Sequence, residues 1–188
     1  MNILLHICCG PCSIVPITAL KKKGLFFNGY FYNPNIHPFR EFKRRIESTL
    51  QVAESFNVAV EIDHDYGLIE YLRKVVFHEH ERCGICYDMR LKRIAEIAAD
   101  KGYDAFSTTL LYSRYQNHQS LRQKGEHWAS EYGLTFYYED FRSGWQTGID
   151  QSIDLGVYRQ PYCGCIYSEQ ERYDNKLKKK LRKARKKP

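Results

Sequence analysis

Short apolar runs alternate along the chain with stretches of helical periodicity. The run from Asn2 to Ile7, NILLHI, is bounded by a Gly-Pro break and reads as a buried strand. FFNGYFYN (26–33) reads as a second strand despite its glycine, VAVEIDHD (58–65) alternates as a third, and DAFSTTLL (104–111) and LTFYYEDF (134–141) read as two more. Helices are predicted between them. Pro11 suits the first position of a helix running through Leu20 and stopping near Gly24. The turn NPNIHP leads into a helix over Phe39 to Phe56, and LIEYLRKVVF (68–77) is a short helical piece. Within 81–102, Tyr87, Leu91, Ile94, Ala95 and Ala98 form a helical stripe that ends at Gly102. HQSLRQKGEHWASEYG (118–133) is a further helix, and Ser168 to Glu171, SEQE, has the form of a capping box opening a last one.

Strands alternating with helices imply right-handed crossovers and a mostly parallel central sheet covered on both faces, a three-layer α/β fold. Groups that do chemistry in such folds collect beyond the carboxyl ends of the strands. At 188 residues the chain suits one core, so 1–188 reads as a single domain with a basic helical tail from about 168 to 188. The net charge of +7 is concentrated there: nine Lys and Arg fall between Lys176 and Lys187 with no acid among them. Such a tail attracts a polyphosphate backbone, although a solvated helix end has the same composition. The opening apolar run is too short for a secretory signal and no stretch approaches membrane-spanning length, so a soluble cytoplasmic protein without a membrane partner is expected.

The seven cysteines change the picture. In a reducing compartment they are unlikely material for a disulfide scaffold, and they fall in groups: Cys8, Cys9 and Cys12; Cys83 and Cys86; Cys163 and Cys165. The first group occupies the first strand-to-helix loop, where nucleotide-binding folds carry a glycine-rich phosphate cradle. A helix N-terminus there favours thiolates at Cys12 and its neighbours. Cys83-Gly84-Ile85-Cys86 presents two sulfurs to one point at a helix start, and with two thiolates from the first loop would make four ligands, for structural zinc or an iron-sulfur cluster. As core filler, free cysteines would have no reason to fall in pairs. Cys163 and Cys165, one residue apart, suit a strained and easily reduced disulfide, an electron relay; two further metal ligands or two idle thiols fit as well.

Four segments, HICCGPCS, NPNIHPFREF, CGICYDMRL and GVYRQPYCGCIYS, span most of the chain in an order that resembles the cobalamin-independent epoxyqueuosine reductases. The resemblance implies a Rossmann-related, adenine-nucleotide alpha-hydrolase-like fold. It implies reduction of epoxyqueuosine to queuosine in the anticodon loop of tRNA, a two-electron epoxide deoxygenation that ends queuosine biosynthesis. It also implies a 4Fe-4S cluster on Cys8, Cys9, Cys83 and Cys86, with Cys163 and Cys165 as a redox-active pair. The chain has no G-x-G-x-x-G fingerprint, so reducing equivalents are expected from an external electron donor. Cys12 is then left over. It is a candidate catalytic thiol or, with Asp88, a ligand of a second mononuclear metal ion acting as Lewis acid on the epoxide oxygen; Asp88 is better explained as a first-turn carboxylate favoured by the helix dipole.

Other residues fall at the predicted mouth of the sheet: Asn33, Asn35 and His37 after the second strand, and Tyr112, Arg114, Tyr115, Gln116 and His118 after the fourth. Arg114 and Tyr115 are the candidate RNA or substrate contacts, since unstacked bases are received by aromatic rings with arginine nearby. His37 also fits an ordinary turn histidine. Arg90, one turn beyond Cys86, would offset cluster charge or pair with a carboxylate on its helix surface. Three rival readings stay open: a zinc-stabilised RNA-binding module, an iron-sulfur thionucleobase desulfidase needing only three cluster cysteines, and a thiol-disulfide oxidoreductase.

Overall fold

The computed structural model describes residues 1–176, 178 and 179. Five strands form one sheet in the order β3-β2-β1-β4-β5, with β1 Asn2–Ile7, β2 Phe26–Phe31, β3 Val60–Ile62, β4 Ala105–Thr108 and β5 Thr135–Phe136. Every neighbouring pair is parallel. β1 lies in the middle, in register with β2 from Asn2↔Phe26 to Ile7↔Phe31 and with β4 from Ile3↔Ala105 to His6↔Thr108. A strand covered on both faces has no solvent side to leave polar, which is why β1 reads as a mainly apolar run whose one buried polar residue, His6, is held by Thr108 Oγ1 (2.8 Å) and the Tyr32 carbonyl (3.0 Å).

Its side chains divide between two layers. Ile3, Leu5 and Ile7 pack with Ile14, Ile17 and Leu20 of α1 (Gly10–Lys22) and with Phe42, Ile46 and Val52 of α2 (Phe39–Ser55). Leu4 and Cys8 face the other layer, with Leu91, Ile94, Ala95 and Ala98 of α4 (Arg82–Asp100) and Leu121 and Ala129 of α5 (His118–Glu131). The expected three-layer, mostly parallel α/β arrangement is therefore present. α3 (Leu68–Val75) leads into α4. α1 approaches α2 at Gly10, where a Cβ would overlap the carbonyl oxygen of Ser48, so the loop that carries the first cysteines is held hard against α2.

The differences from the sequence pattern have local causes. DAFSTTLL ends as a strand at Thr108, whose hydroxyl accepts the N–H of Leu110 (3.1 Å) and opens a 3-10 turn, Thr109–Tyr112. LTFYYEDF keeps only Thr135 and Phe136 as strand; beyond it Asp140 accepts from the Arg142 N–H and starts another 3-10 turn, Phe141–Gly144. α6 (Trp145–Asp154) was not expected, although Trp145, Ile149 and Ile153 recur at helical spacing; the residues it buries fully are Gly148 and Ser152. α7 (Ile166–Tyr173) begins before the expected capping box: the Cys165 thiol accepts the Ser168 N–H at 3.4 Å, and Ser168 lies inside the helix with its hydroxyl donated to the Cys165 carbonyl. The helix ends at Tyr173, and the expected continuation into the tail lies, for residues 177 and 180–188, outside the described residues. Among the described residues no helix is long and apolar enough to cross a membrane.

His37 is a buried ring, 2% exposed, packed between Tyr66 and Tyr71 with centroids 5.5 and 5.3 Å away. Neither ring nitrogen has a partner among the described residues, and burial lowers its pKa from 6.5 to about 4. The unfolded chain therefore takes up a proton here below about pH 6.5 that the folded chain refuses until about pH 4, and stability contributed at this position falls with pH across that window. His37→Leu is expected to gain stability relative to the wild type as the pH is lowered from 6.5 to 4, read as a widening gap in urea midpoints. A constant gap would refute it.

Candidate active site

β1 runs out at Ile7, and the next residues are Cys8 and Cys9, with Cys12 in the first turn of α1. Chain order reverses here, since β2 and β4 leave β1 on opposite sides, and such a switch point opens a crevice. The sulfurs of Cys8, Cys9 and Cys12 lie within 4.8 Å of one another, a spacing that could hold a metal ion. Thr109, at the end of β4, fixes Cys8 twice: its hydroxyl oxygen accepts the Cys8 N–H at 3.0 Å and its hydroxyl lies 3.2 Å from the sulfur. The Gln160 amide donates to Cys9 Sγ (2.9 Å) and Cys12 Sγ (3.3 Å). Hydrogen bonds from Cys12 and Cys9, helped by the Arg90 charge and Thr109, hold the Cys8 thiol well below its ordinary pKa against the effect of burial. Cys12 is pushed well above its ordinary value because its proton is shared with Cys8 and then with Cys9, and burial pushes Cys9 up. Within this trio the hydrogen bonds favour the negative charge at Cys8 and the proton at Cys12, since three sulfurs this close do not all ionise.

The other cysteines gather around the start of α4 and the loop before α7. Cys83 is exposed. Cys86 is buried in an apolar cluster with Tyr71, Val75, Met89 and Cys165. Burial raises the Cys86 thiol to about 12, and the charges of Cys163, Cys165 and Cys83 push the same way while Arg90 opposes. Cys163 is exposed, and Gln116 Nε2 donates to its sulfur at 3.4 Å.

Two buried guanidiniums tie the groups together. Arg90, 1% exposed, donates to Asn33 Oδ1 at 2.6 Å, and its charge, opposed by burial, is favoured by Cys86, Cys8, Cys163 and Cys9 in that order. A partner on the surface of α4 is therefore not its role. Arg45 donates to Glu41 Oε1 (2.8 Å) and to the carbonyls of Cys163 (2.7 Å) and Tyr162 (2.9 Å), with its charge favoured by Cys9, Glu41 and Cys163. Asn33 itself is structural, donating to the Ile7 carbonyl at 2.9 Å.

A cavity of about 590 Å³ opens over these groups, lined by Cys8, Cys9, Cys12 and Cys163, by Tyr112, Tyr115, Gln116 and Trp145, and by Arg45, Arg90, Arg159, Arg172 and Lys178. The one carboxylate that lines it among the described residues, Glu171, is paired with Arg82. Asp88 is elsewhere: it accepts from Lys124 Nζ (3.2 Å) and Trp128 Nε1 (3.0 Å), lines a separate surface pocket, and is not brought to Cys12. His118 is buried against Tyr138, and Asn35 and His37 are buried beneath the site rather than open to it.

The sequence reading did not single out Arg45, Thr109, Trp145 or Gln160. The first carried a signal: an arginine stands on the face of α2 that also bears Phe42, Ile46, Thr49 and Val52, and a charge on a buried face needs a partner. Gln160 lies within GVYRQPYCGCIYS but is an ordinary residue type until the fold brings it to the sulfurs.

The family model for epoxyqueuosine reductase QueH matches residues 3–171. Among curated relatives named epoxyqueuosine reductase QueH, that of Dehalococcoides mccartyi is 37% identical over 172 residues, covering 92% of this chain and 94% of the relative. That of Thermotoga maritima is 34% identical over 181 residues, covering 91% and 92%, and that of Acinetobacter baylyi is 35% identical over 176 residues, covering 89% and 80%. Among solved structures, the crystal structure of a predicted subunit of tRNA methyltransferase from Methanocaldococcus jannaschii superposes with a TM-score of 0.56 over 81% of this chain and 76% of that one. At 16% identity this likeness speaks for the fold alone. It agrees with the adenine-nucleotide alpha-hydrolase-like class expected from the four segments.

Proposed function

The chain belongs to the epoxyqueuosine reductase QueH family, and from that membership and the geometry above we propose how its own residues serve the family reaction. It is an oxidoreductase that reduces epoxyqueuosine to queuosine in tRNA, the last step of queuosine biosynthesis. The zinc-module, desulfidase and simple thiol-exchange readings are not favoured by that membership. The reaction takes up two electrons and two protons, turns an epoxide into an alkene and releases water.

Cys8, Cys9, Cys83 and Cys86 are assigned as ligands of a 4Fe-4S cluster. The observation that carries the assignment is Arg90, a fully buried cation whose charge is favoured by sulfurs from both the first loop and the start of α4. The donors are thiols alone, and Arg45 and Arg90 supply the positive charge that an anionic, thiolate-bound group needs in a buried place. Thiol donors beside two buried guanidiniums support an anionic, thiolate-bound group here, while the sulfurs within 4.8 Å of one another are those of Cys8, Cys9 and Cys12, with Cys83 and Cys86 on α4. When bound, such a cluster supplies single electrons at low potential.

Cys163 and Cys165 are assigned as a redox pair. Closing their two thiols to a disulfide releases two electrons and two protons, the number the epoxide consumes, and an external electron donor reopens it. Arg45, by holding the carbonyls of Tyr162 and Cys163, fixes the backbone on which that pair sits. Cys12, protonated and lining the cavity, is the proton source for the epoxide oxygen. A mononuclear metal ion held at Cys12 is a second reading, favoured by the proximity of Cys12 to Cys8 and Cys9 but without Asp88 as a partner. Arg114 and Tyr115 are RNA contacts at the rim, and the basic tail adds attraction for phosphate. With tRNA as substrate, the compartment is the cytoplasm.

The test of the whole reading is anaerobic reconstitution with iron and sulfide, followed by mass analysis of nucleosides from epoxyqueuosine-containing tRNA supplied with a chemical reductant. Queuosine is expected, and its absence would sink the reading. Cys12→Ala in the same assay is expected to keep its iron and lose roughly 100- to 10,000-fold in turnover, the range for removing a general acid. Iron falling by one per chain would favour the second metal, and unchanged turnover with full iron would remove both roles.

A further inference from the structure

Beside the thiols, the cavity has a rim that the redox chemistry does not use. Tyr115 is 84% exposed, with its ring edge-on to Trp145 at a centroid distance of 5.7 Å and an angle of 78°. Trp145 in turn stacks on Tyr112 at 5.1 Å and 24°, and the Tyr112 hydroxyl donates to the Trp145 carbonyl at 2.9 Å. Gly148, one turn along α6, leaves no room for a side chain: a Cβ would overlap Tyr112 Oη and lie 3.0 Å from Val15 Cγ2. The helix that carries Trp145 is thus seated firmly against α1 and the 3-10 turn, and the Tyr115 N–H is bound to Ser113 Oγ at 3.2 Å. The Arg114 guanidinium stands 5.5 Å over the Trp145 ring.

An exposed ring on fixed backing at the mouth of a cavity offers a flat face that a planar group can cover. Stacking of a base on an aromatic ring, with arginine alongside, is the usual cover in proteins that take single-stranded nucleic acid. Position selects which base. The cavity, about 590 Å³, has the volume of a site for one nucleoside-sized group, and Tyr115 stands at its outer edge. The cations Arg159 and Arg172 on the lining suit the phosphates that would join a base in the cavity to a base outside it.

We propose that Tyr115, braced by Trp145 and Tyr112, stacks a nucleobase flanking the nucleotide that is reduced, so that the substrate is taken as part of a strand. This rests on the reading that the cavity receives a nucleotide of tRNA. The test uses the cluster-loaded protein and RNA hairpins carrying epoxyqueuosine, with affinity followed by fluorescence anisotropy of the labelled RNA. Tyr115→Ala weakens hairpin binding roughly five- to hundredfold, as expected for the loss of one base–aromatic stack. Tyr115→Trp restores it. An abasic site on one side of the modified nucleotide costs the wild type a similar factor and costs Tyr115→Ala nothing further. Unchanged affinity in Tyr115→Ala, or abasic and Tyr115→Ala losses that multiply for both flanks, overturns the proposal. A wild type that shows this binding pattern but yields no queuosine leaves the stacking site standing and removes the reduction reading.

Discussion

Cys86→Ala protein, reconstituted anaerobically with iron and sulfide, is expected to lose its visible iron-sulfur absorption, most of its iron and sulfide, and more than roughly a hundredfold in turnover. Residues that merely orient the ligands of a metal already cost ten- to a hundredfold, so a ligand itself exceeds that range. Cys86 is the discriminating position. It is buried among Tyr71, Val75, Met89 and Cys165, where alanine removes one sulfur atom and leaves the surrounding packing able to fold, so loss of iron is not loss of structure. It is also outside the compact trio of Cys8, Cys9 and Cys12. A protein that binds its iron through that trio would keep it in Cys86→Ala and lose it in Cys12→Ala, the opposite pattern. Iron, acid-labile sulfide and far-ultraviolet circular dichroism measured on both variants decide between the two sets.

The second large effect is expected at Arg90. Arg90→Met should destabilise the protein by about 3–5 kcal/mol in urea unfolding, the usual cost of removing one member of a buried charged set. The side chain is fully buried, its hydrogen bond to Asn33 Oδ1 is lost, and the Cys8 thiolate loses part of what holds its pKa down. Asn33 in turn is bound to the carbonyl of Ile7, so the disturbance reaches the end of β1 itself. Arg90→Lys should recover only part of the loss, because an ammonium is a more strongly hydrated point charge and costs more to bury than a guanidinium. The expected companion result is a rise in the pH at which Cys8 reacts with iodoacetamide in the metal-free protein. A loss of less than about 1 kcal/mol, the worth of an exposed pair, would show that Arg90 does not carry the charge of the site.

What could be read beforehand followed from chemistry that is local in the chain. An apolar run closed by Gly-Pro suffices to place β1, the cysteine loop and α1, and the helical stripe from Tyr87 to Ala98 suffices to put Cys83 and Cys86 at the start of α4. α6 did carry a short stripe, Trp145, Ile149 and Ile153, but it is only three residues long and is interrupted by Gly148 and Ser152, the residues the helix buries fully. The start of α7 was misplaced because Ser-x-x-Glu is only a capping box when its serine stands outside the helix, and the Cys165 thiol takes that place. Spacing also could not tell which thiols meet. Cys12 joins Cys8 and Cys9 within one loop and the first turn of α1, whereas Cys165 meets Cys86 because the start of α7 packs beside α3 and α4, a contact between distant parts of the chain. Arg45 and Gln160 belong to the same class, since each acts on sulfurs or carbonyls more than a hundred positions away.

The central place of β1 sets a timetable for a chain emerging from the ribosome. β2 follows β1 closely, but the partner of His6 on the other side, Thr108, comes 102 positions later. Five of the seven cysteines have then already been synthesised, while one edge of β1 is still bare and the layer under Leu4 and Cys8 still lacks Leu121 and Ala129 of α5. The arrival of Ala105 to Thr109 both completes the sheet and delivers the hydroxyl that fastens Cys8. Until that moment the nascent chain holds an open strand edge and uncovered thiols, so a pause in translation before β4 prolongs its exposure to aggregation and oxidation.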